Sequence, residues 1–311
     1  MRWLPATIAA LALVASLGAQ QTPETTFKVD VKLVNVFVTV TDQQGAPIGN
    51  LVKSDFALSE DGVPQKIAVF SKESQLPLSI VVAIDTSSST RKDIRLELEA
   101  ARRFIHSMIR PQDAVALYTF ATSVSEMTPF TAKLHQVDAA ISEVRVGGAT
   151  SLYDAIYLGA KALINREGRK VMVLITDGGD TASSIDYKEA LRAAQQSEAL
   201  VYSLIDVPVE ASAGRNTGGE HALIQISNDT GGKYYYASNV PQLERAFEQI
   251  GDELRTQYLL AYYPVARRAA SDFRQIDVMA HSHELPEAQG SENGDKLVVR
   301  ARRGYYTSKL E

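Results

Sequence analysis

Three oxygen-bearing side chains follow an apolar segment and alternate along a short loop. Asp85, Ser87 and Ser89 come directly after the apolar run of residues 78–84. A short apolar run that ends in polar loop residues predicts a strand buried on both faces, as in the centre of a parallel sheet. Ligands of open α/β sheets bind at the carboxyl ends of the strands. One carboxylate and two hydroxyls at this edge could therefore all face a single hard cation.

The same residue types have a second interpretation. Loops rich in Ser, Thr and Asp often cap the helix that follows them. A helix is expected shortly after this loop, because Ile94, Leu98, Ala101 and Ile105 recur at helical spacing. The first loop alone does not decide between a metal site and a helix cap.

The alternating Asp-Ser-Ser pattern resembles the metal-ion-dependent adhesion site (MIDAS) of von Willebrand factor type A (VWFA) domains. In that family a threonine from a second loop and an aspartate from a third loop complete the site. Residues 147–154 resemble the second loop and contain Thr150, whereas residues 176–180 resemble the third and contain Asp177. The resemblance implies a complete site, with the three loops in the family's order.

The resemblance also implies a role for each residue. In the family the serines and the threonine bind the ion directly, and the aspartates act through water. The direct ligands would be Ser87, Ser89 and Thr150, and the outer anchors would be Asp85 and Asp177. Such an all-oxygen set suits Mg2+, with Mn2+ or Ca2+ as alternatives, and does not suit zinc. One coordination position would remain for a carboxylate of a protein partner.

Two further acidic residues lie beside these loops. Asp180 is expected to accept hydrogen bonds from loop amides, although it could also tune the potential of the third loop. Asp154 lies early in a predicted helix, where the helix dipole favours a carboxylate in any case.

Alternation of strands and helices predicts a doubly wound, mostly parallel α/β sheet over residues 77–255. The resemblance implies that this sheet is of the von Willebrand A, Rossmann-like type. The flanking segments, 27–76 and 256–306, have strand periodicity instead. Each has too few strands to bury two faces, so both are expected to form one small β-sandwich-like domain together. Within the first segment, residues 55–59 and 66–70 are predicted to form a hairpin. A phase slip near Leu33 indicates a β-bulge or a strand that changes sheets.

Motifs outside the central segment support a second resemblance. The segments Asp55-Phe56, Glu60-Asp61-Gly62 and Arg300-Ala301-Arg302-Arg303-Gly304-Tyr305-Tyr306 resemble the secreted VWFA-related family named for its occurrence in Acidobacteria. The resemblance covers nearly the whole mature chain. That family is defined by architecture more than by activity, so it implies binding in general and no particular partner.

The first 20 residues have the layout of a secretory signal peptide. Arg2 precedes the mostly small and apolar run of residues 6–17, and a small-residue stretch follows it. A retained membrane anchor is the alternative, but the run is shorter than the roughly 20 apolar residues that span a bilayer. The chain has no cysteine, so disulfides are excluded. We expect export to the periplasm or the extracellular space, with no membrane span after signal removal.

Composition excludes some partners. The chain has 311 residues, of which 45% are hydrophobic and 22% charged, and its net charge is -5. A nucleic-acid binder needs a basic footprint that this chain lacks. We expect a binding or cell-adhesion module and not an enzyme, because no histidine in the site loops could act as a general base. A metal-dependent hydrolase or phosphoesterase, and a structural envelope component whose ion only holds the loops together, remain alternatives.

Overall fold

The computed structural model describes residues 33–72, 75–88, 94–206, 217–265, 272–281 and 297–308. The predicted signal peptide, residues 27–32 of the predicted β segment 27–76, and the predicted ligand Ser89 lie outside these ranges. Across the described ranges, no helix has both the length and the apolar character needed to cross a bilayer.

The chain forms strands on both sides of a segment in which strands and helices alternate. In chain order, the strands are β1 (Val34–Thr41), β2 (Phe56–Glu60), β3 (Val63–Pro64), β4 (Ile67–Lys72), β5 (Leu78–Asp85), β6 (Ala114–Phe120), β7 (Val124–Thr131), β8 (Arg169–Thr176), β9 (Leu200–Ile205), β10 (Lys233–Tyr236), β11 (Tyr258–Tyr262), β12 (Phe273–Ala280), β13 (Val298–Ala301) and β14 (Gly304–Tyr306). The helices are α1 (Ile94–Met108), α2 (Leu134–Ser142), α3 (Leu152–Ile164), α4 (Tyr187–Ser197), α5 (Thr217–Thr230) and α6 (Val240–Thr256).

A six-stranded sheet in the order β10-β9-β8-β5-β6-β7 forms the centre of the α/β segment. All neighbours are parallel except β7, which pairs with β6 in the antiparallel direction at one edge. Every residue of β5 is buried, as its unbroken apolar sequence predicts. Because β5 lies between β6 and β8, its carboxyl end is in the middle of the sheet's carboxyl edge.

Helices cover both faces of this sheet. On one face, Ile80 and Val82 of β5 pack in a core with residues of α1, α2 and α6. On the other face, Val81 and Ala83 pack in a core with residues of α3, α4 and α5. This arrangement confirms the predicted doubly wound α/β fold with a central, mostly parallel sheet.

Two four-stranded sheets combine strands from the beginning and the end of the chain. Their orders are β13-β1-β11-β4 and β14-β12-β2-β3. One apolar core contains side chains from both sheets, including Val36 and Val38 of β1, Leu58 of β2, Leu260 of β11 and Ile276 of β12. The central α/β segment is therefore inserted between two sets of strands that pair with each other.

The predicted hairpin of residues 55–59 with residues 66–70 is wrong. Strand β2 instead pairs with the two-residue β3 and with β12, whereas β4 pairs with β11 in the other sheet. Asp61 and Gly62 turn the chain back at once, with φ of 49° and 73°, values that suit a two-residue hairpin turn. Glu60 pairs with Val63 and Ser59 with Pro64, and the Gln65 N–H then donates to Leu58 O at 2.8 Å.

A buried ion pair connects the strands at the end of the chain to the last helix of the α/β segment. Arg300 Nη2 of β13 lies 2.6 Å from Glu253 Oε1 of α6, and Lys233 Nζ lies 3.4 Å from the same oxygen. Only 1% of the Glu253 side chain is exposed. A carboxylate at this depth requires a charged partner, and Arg300 supplies it from the flanking strands.

Candidate functional site

Asp85 ends β5 and is completely buried. Its Oδ1 accepts a hydrogen bond from the backbone N–H of Ser87 at 2.8 Å, and its Oδ2 accepts one from the Thr176 hydroxyl at 2.7 Å. Burial raises the pKa of the Asp85 carboxyl above its usual value, although the hydrogen bonds from Ser87 and Thr176 partly oppose this increase. Because both carboxylate oxygens are already hydrogen-bonded, Asp85 suits the outer, water-mediated role that was predicted for it.

Thr176, which the sequence interpretation did not assign to the site, connects the first loop to the third. Besides donating to Asp85, its hydroxyl accepts the backbone N–H of Gly178 at 3.1 Å. The side chain is 1% exposed, so it cannot exchange these partners for water. Its position as the last strand residue, directly before Asp177, was the available signal.

Backbone hydrogen bonds join the first loop to the second. Gly147 N–H donates to Thr86 O at 2.7 Å, and Ser88 N–H donates to Gly148 O at 3.0 Å. A Cβ at position 147 would lie 2.3 Å from the Cβ of Ala121, so only glycine allows this approach. Gly147 thus allows the second loop to lie directly against Ala121, which follows β6.

The second loop is joined to the third through Thr150. Its backbone N–H donates to the Thr181 hydroxyl at 2.9 Å, and its carbonyl accepts the N–H groups of Thr181 at 2.8 Å and Ala182 at 3.0 Å. Thr150 is 5% exposed. Its own hydroxyl forms no hydrogen bond with any residue that the structure describes, so this oxygen can serve as a ligand.

Asp177 follows β8 directly and is half-buried. Its Oδ1 accepts the N–H of Gly179 at 3.1 Å. The pKa of Asp85 is raised mainly by burial, and the charge of Asp177 adds to this increase. Its Oδ2 has no hydrogen-bond partner in the described part of the chain. One carboxylate oxygen is thus available for an ion or for water bound to an ion.

Asp180 and Asp154 anchor the third loop to the start of α3. Asp180 Oδ1 accepts the N–H groups of Leu152 at 2.9 Å and Tyr153 at 3.3 Å. The N-cap residue of α3 forms no side-chain hydrogen bond of this kind, so Asp180 caps the helix from the third loop. The Asp154 carboxylate in turn accepts the Ser184 N–H at 3.0 Å. These contacts explain both carboxylates as loop anchors, the role expected for Asp180 from its position.

The structure thus brings Asp85, Ser87, Thr150 and Asp177 to one edge of the sheet. In the described ranges, no three histidine, aspartate or glutamate side chains cluster as a metal-binding group. The predicted metal ligands are not a group of this kind, because they include only two carboxylates and the other ligands are hydroxyl oxygens. Hydroxyl and carboxylate oxygens are the donors that a hard cation prefers, so the chemistry of these residues fits Mg2+.

A family model identifies the segment that carries these loops. The model for the von Willebrand factor type A domain matches residues 79–249, which is more than half of the chain. This chain belongs to the von Willebrand factor type A domain family. Domains of this family mediate protein interactions or adhesion.

Several solved structures are similar to this VWFA chain, and those with TM-scores above 0.5 share its fold. A von Willebrand factor type A protein from Catenulispora acidiphila is similar with a TM-score of 0.52 and 11% identity, over 74% of this chain and 70% of that one. Proximal thread matrix protein 1 from the mussel byssus gives a TM-score of 0.51 and 17% identity, over 63% of this chain and 51% of that one. An aerotolerance-related membrane protein from Bacteroides fragilis is 22% identical, with a TM-score of 0.44, over 57% of this chain and 98% of that one. No curated protein matches this chain significantly.

Proposed function

We propose that this VWFA domain binds a protein partner through one divalent ion, with Mg2+ as the first candidate. Ser87, Ser89 and Thr150 would coordinate the ion, and Asp85 and Asp177 would hold it through water. The observation that carries this proposal is the joining of three loops at one sheet edge, where the Thr150 hydroxyl and Asp177 Oδ2 have no described partner.

The charges of the proposed site define the partner. Two carboxylates only just neutralise a divalent ion, and octahedral Mg2+ keeps positions for ligands from outside the protein. A carboxylate of the partner would complete the coordination with a charged oxygen, which binds a cation more strongly than a neutral one. The partner is therefore a protein that presents an aspartate or glutamate side chain.

Two alternatives are less well supported. A hydrolase would need a nucleophile or a general base beside the ion, and the three loops contain no histidine. An ion that served only to hold the loops together would add little, because direct hydrogen bonds already join all three loops. Partner binding is therefore a better explanation of the proposed ion than catalysis, or than an ion that only holds the loops together.

The amino-terminal segment supports a location for this binding. An exported chain would meet its partner in the periplasm or outside the cell. The partner is accordingly expected among envelope or extracellular proteins.

A capture experiment from the envelope fraction of the source organism tests the proposal. The immobilised protein is expected to retain a partner with Mg2+ and to release it in chelator. Ser87→Ala should abolish capture, because it removes a proposed direct ligand. Ser125→Ala, at an exposed position of β7, makes the same substitution away from the loops and should capture normally. Equal capture in chelator and by Ser87→Ala would refute the metal-bridged mechanism.

A further inference from the structure

A cavity of about 310 Å³ opens between α1, α6 and the carboxyl ends of β8 and β9. This volume is at the lower end of the range for ligand pockets. Its floor is apolar and almost fully buried, with Ile175 at 2%, Leu204 at 0% and Leu243 at 4% exposure. Leu96, which is 53% exposed, stands at the mouth. Replacement of water on such an apolar floor by an apolar group is favourable in free energy.

The cavity is adjacent to the candidate metal site. Ile175 on its floor directly precedes Thr176, the residue that holds Asp85. Asp206 on its wall donates its N–H to Thr176 O at 2.9 Å. Neighbouring strands are about 4.8 Å apart, so the cavity lies roughly 5–10 Å along the sheet edge from Asp85. One short segment of a partner can reach both places.

We propose that this cavity receives a large apolar side chain of the same protein partner, an inference that rests on the proposed function. In an extended peptide, side chains two residues apart point to the same side and lie about 7 Å apart. The recognised segment therefore has an aspartate or glutamate for the ion and a leucine, isoleucine, methionine or phenylalanine two residues away.

The chemistry of the cavity floor favours this order of contacts. Its apolar side chains, among them Ile175 and Leu204, offer a partner carboxylate neither a hydrogen bond nor an opposite charge. Beside the ion, the carboxylate meets opposite charge. The acidic side chain therefore goes to the ion, and the apolar side chain enters the cavity.

The test uses a library of random heptapeptides, selected on the full protein with Mg2+ and with chelator. Metal-dependent peptides are expected to carry the acidic and apolar pair. Ala237→Leu and Ser238→Leu fill the cavity from two neighbouring lining positions and should each weaken these peptides about ten- to hundredfold. Ala139→Leu, at an exposed position on α2, is the matched control. Calorimetry with Mg2+ alone should give the same affinity for all four proteins.

The outcomes separate the two proposals. Metal-dependent peptides that have an acidic residue without an apolar preference, or that bind the filled variants unchanged, would overturn the cavity proposal and leave the metal-bridged mechanism intact. A selection without any metal-dependent peptide would overturn both proposals. Loss of peptide binding in both filled variants, with Mg2+ binding retained, would support the cavity as the second contact.

Discussion

The Thr176 hydroxyl donates to Asp85 Oδ2 at 2.7 Å between two almost fully buried residues. This contact joins the last residue of β8 to the last residue of β5. Because its hydroxyl also accepts the Gly178 N–H, Thr176 fixes the third loop relative to the first. The orientation of Asp85, and so of the ion it is proposed to hold through water, depends on a residue outside the MIDAS pattern.

Removing this hydroxyl should weaken metal binding. Thr176→Val keeps the shape of the side chain but leaves Asp85 Oδ2 without its donor. We expect Mg2+ affinity to fall about tenfold or more, as for other outer-shell partners, and the free energy of unfolding to fall by about 1.5–3 kcal/mol. Calorimetry and urea unfolding measure the two effects. Thr176→Ser keeps the hydroxyl and should remain close to wild type; equal loss in both variants would show that packing, and not the hydrogen bond, matters.

The buried Asp85 carboxyl should give the metal-free protein a specific pH dependence. Burial raises the pKa of Asp85 in the folded state above its ordinary value of 3.8. Between these two pKa values the folded state binds more protons than the unfolded state, so stability falls as pH rises through this interval. We expect wild type to lose stability relative to Asp85→Asn over this interval. Urea midpoints in chelator provide the comparison, and parallel curves for the two proteins would contradict it.

The Arg300–Glu253 pair should be essential for stability. Arg300→Ala would leave the buried Glu253 carboxylate with the weaker contacts of Lys233 and the Tyr235 hydroxyl among the described residues, at a cost of about 3–5 kcal/mol. Arg303→Ala is the control, because the Arg303 side chain is 62% exposed in its pair with Asp229 and exposed pairs contribute little. Denaturant unfolding of the two variants tests the contrast. A small loss for Arg300→Ala would mean that water reaches Glu253.

Strands from the two ends of the chain are expected to depend on each other. A chain truncated after Arg255 lacks β11 to β14 and leaves β1 and β4 without their neighbour β11. Amide exchange across Val34–Thr41 should therefore become fast. Unchanged protection there would show that the first segment folds without the last.

The central sheet could be predicted because its strands are short apolar runs. The apolar run of residues 78–84 forms β5, which Asp85 ends. The predicted site loops also follow from position, since each comes directly after a buried strand or before a helix. The order of the elements along the chain and the local residue pattern are thus enough to locate the central strands and the site loops.

Pairing between distant segments could not be predicted in the same way. Nothing local in residues 66–70 shows that this strand joins β11 and not β2, because the partner is almost 200 residues away. Similarly, the strand periodicity of residues 256–306 does not show that β13 pairs with β1 whereas β14 pairs with β12 in the other sheet. Thr176 was missed for a related reason: its hydroxyl meets Asp85 only because β5 and β8 pair in parallel, with Ile84 opposite Ile175.

Calorimetric titration of the purified protein with Mg2+ tests whether the three loops hold a divalent ion. We predict one ion per chain for wild type and no binding for Asp177→Asn, which removes a proposed anchor. Asp186→Asn, an equally good N-cap at the start of α4, makes the same substitution outside the site and should bind as wild type does. Undiminished binding by Asp177→Asn, or no binding by wild type, would contradict the account.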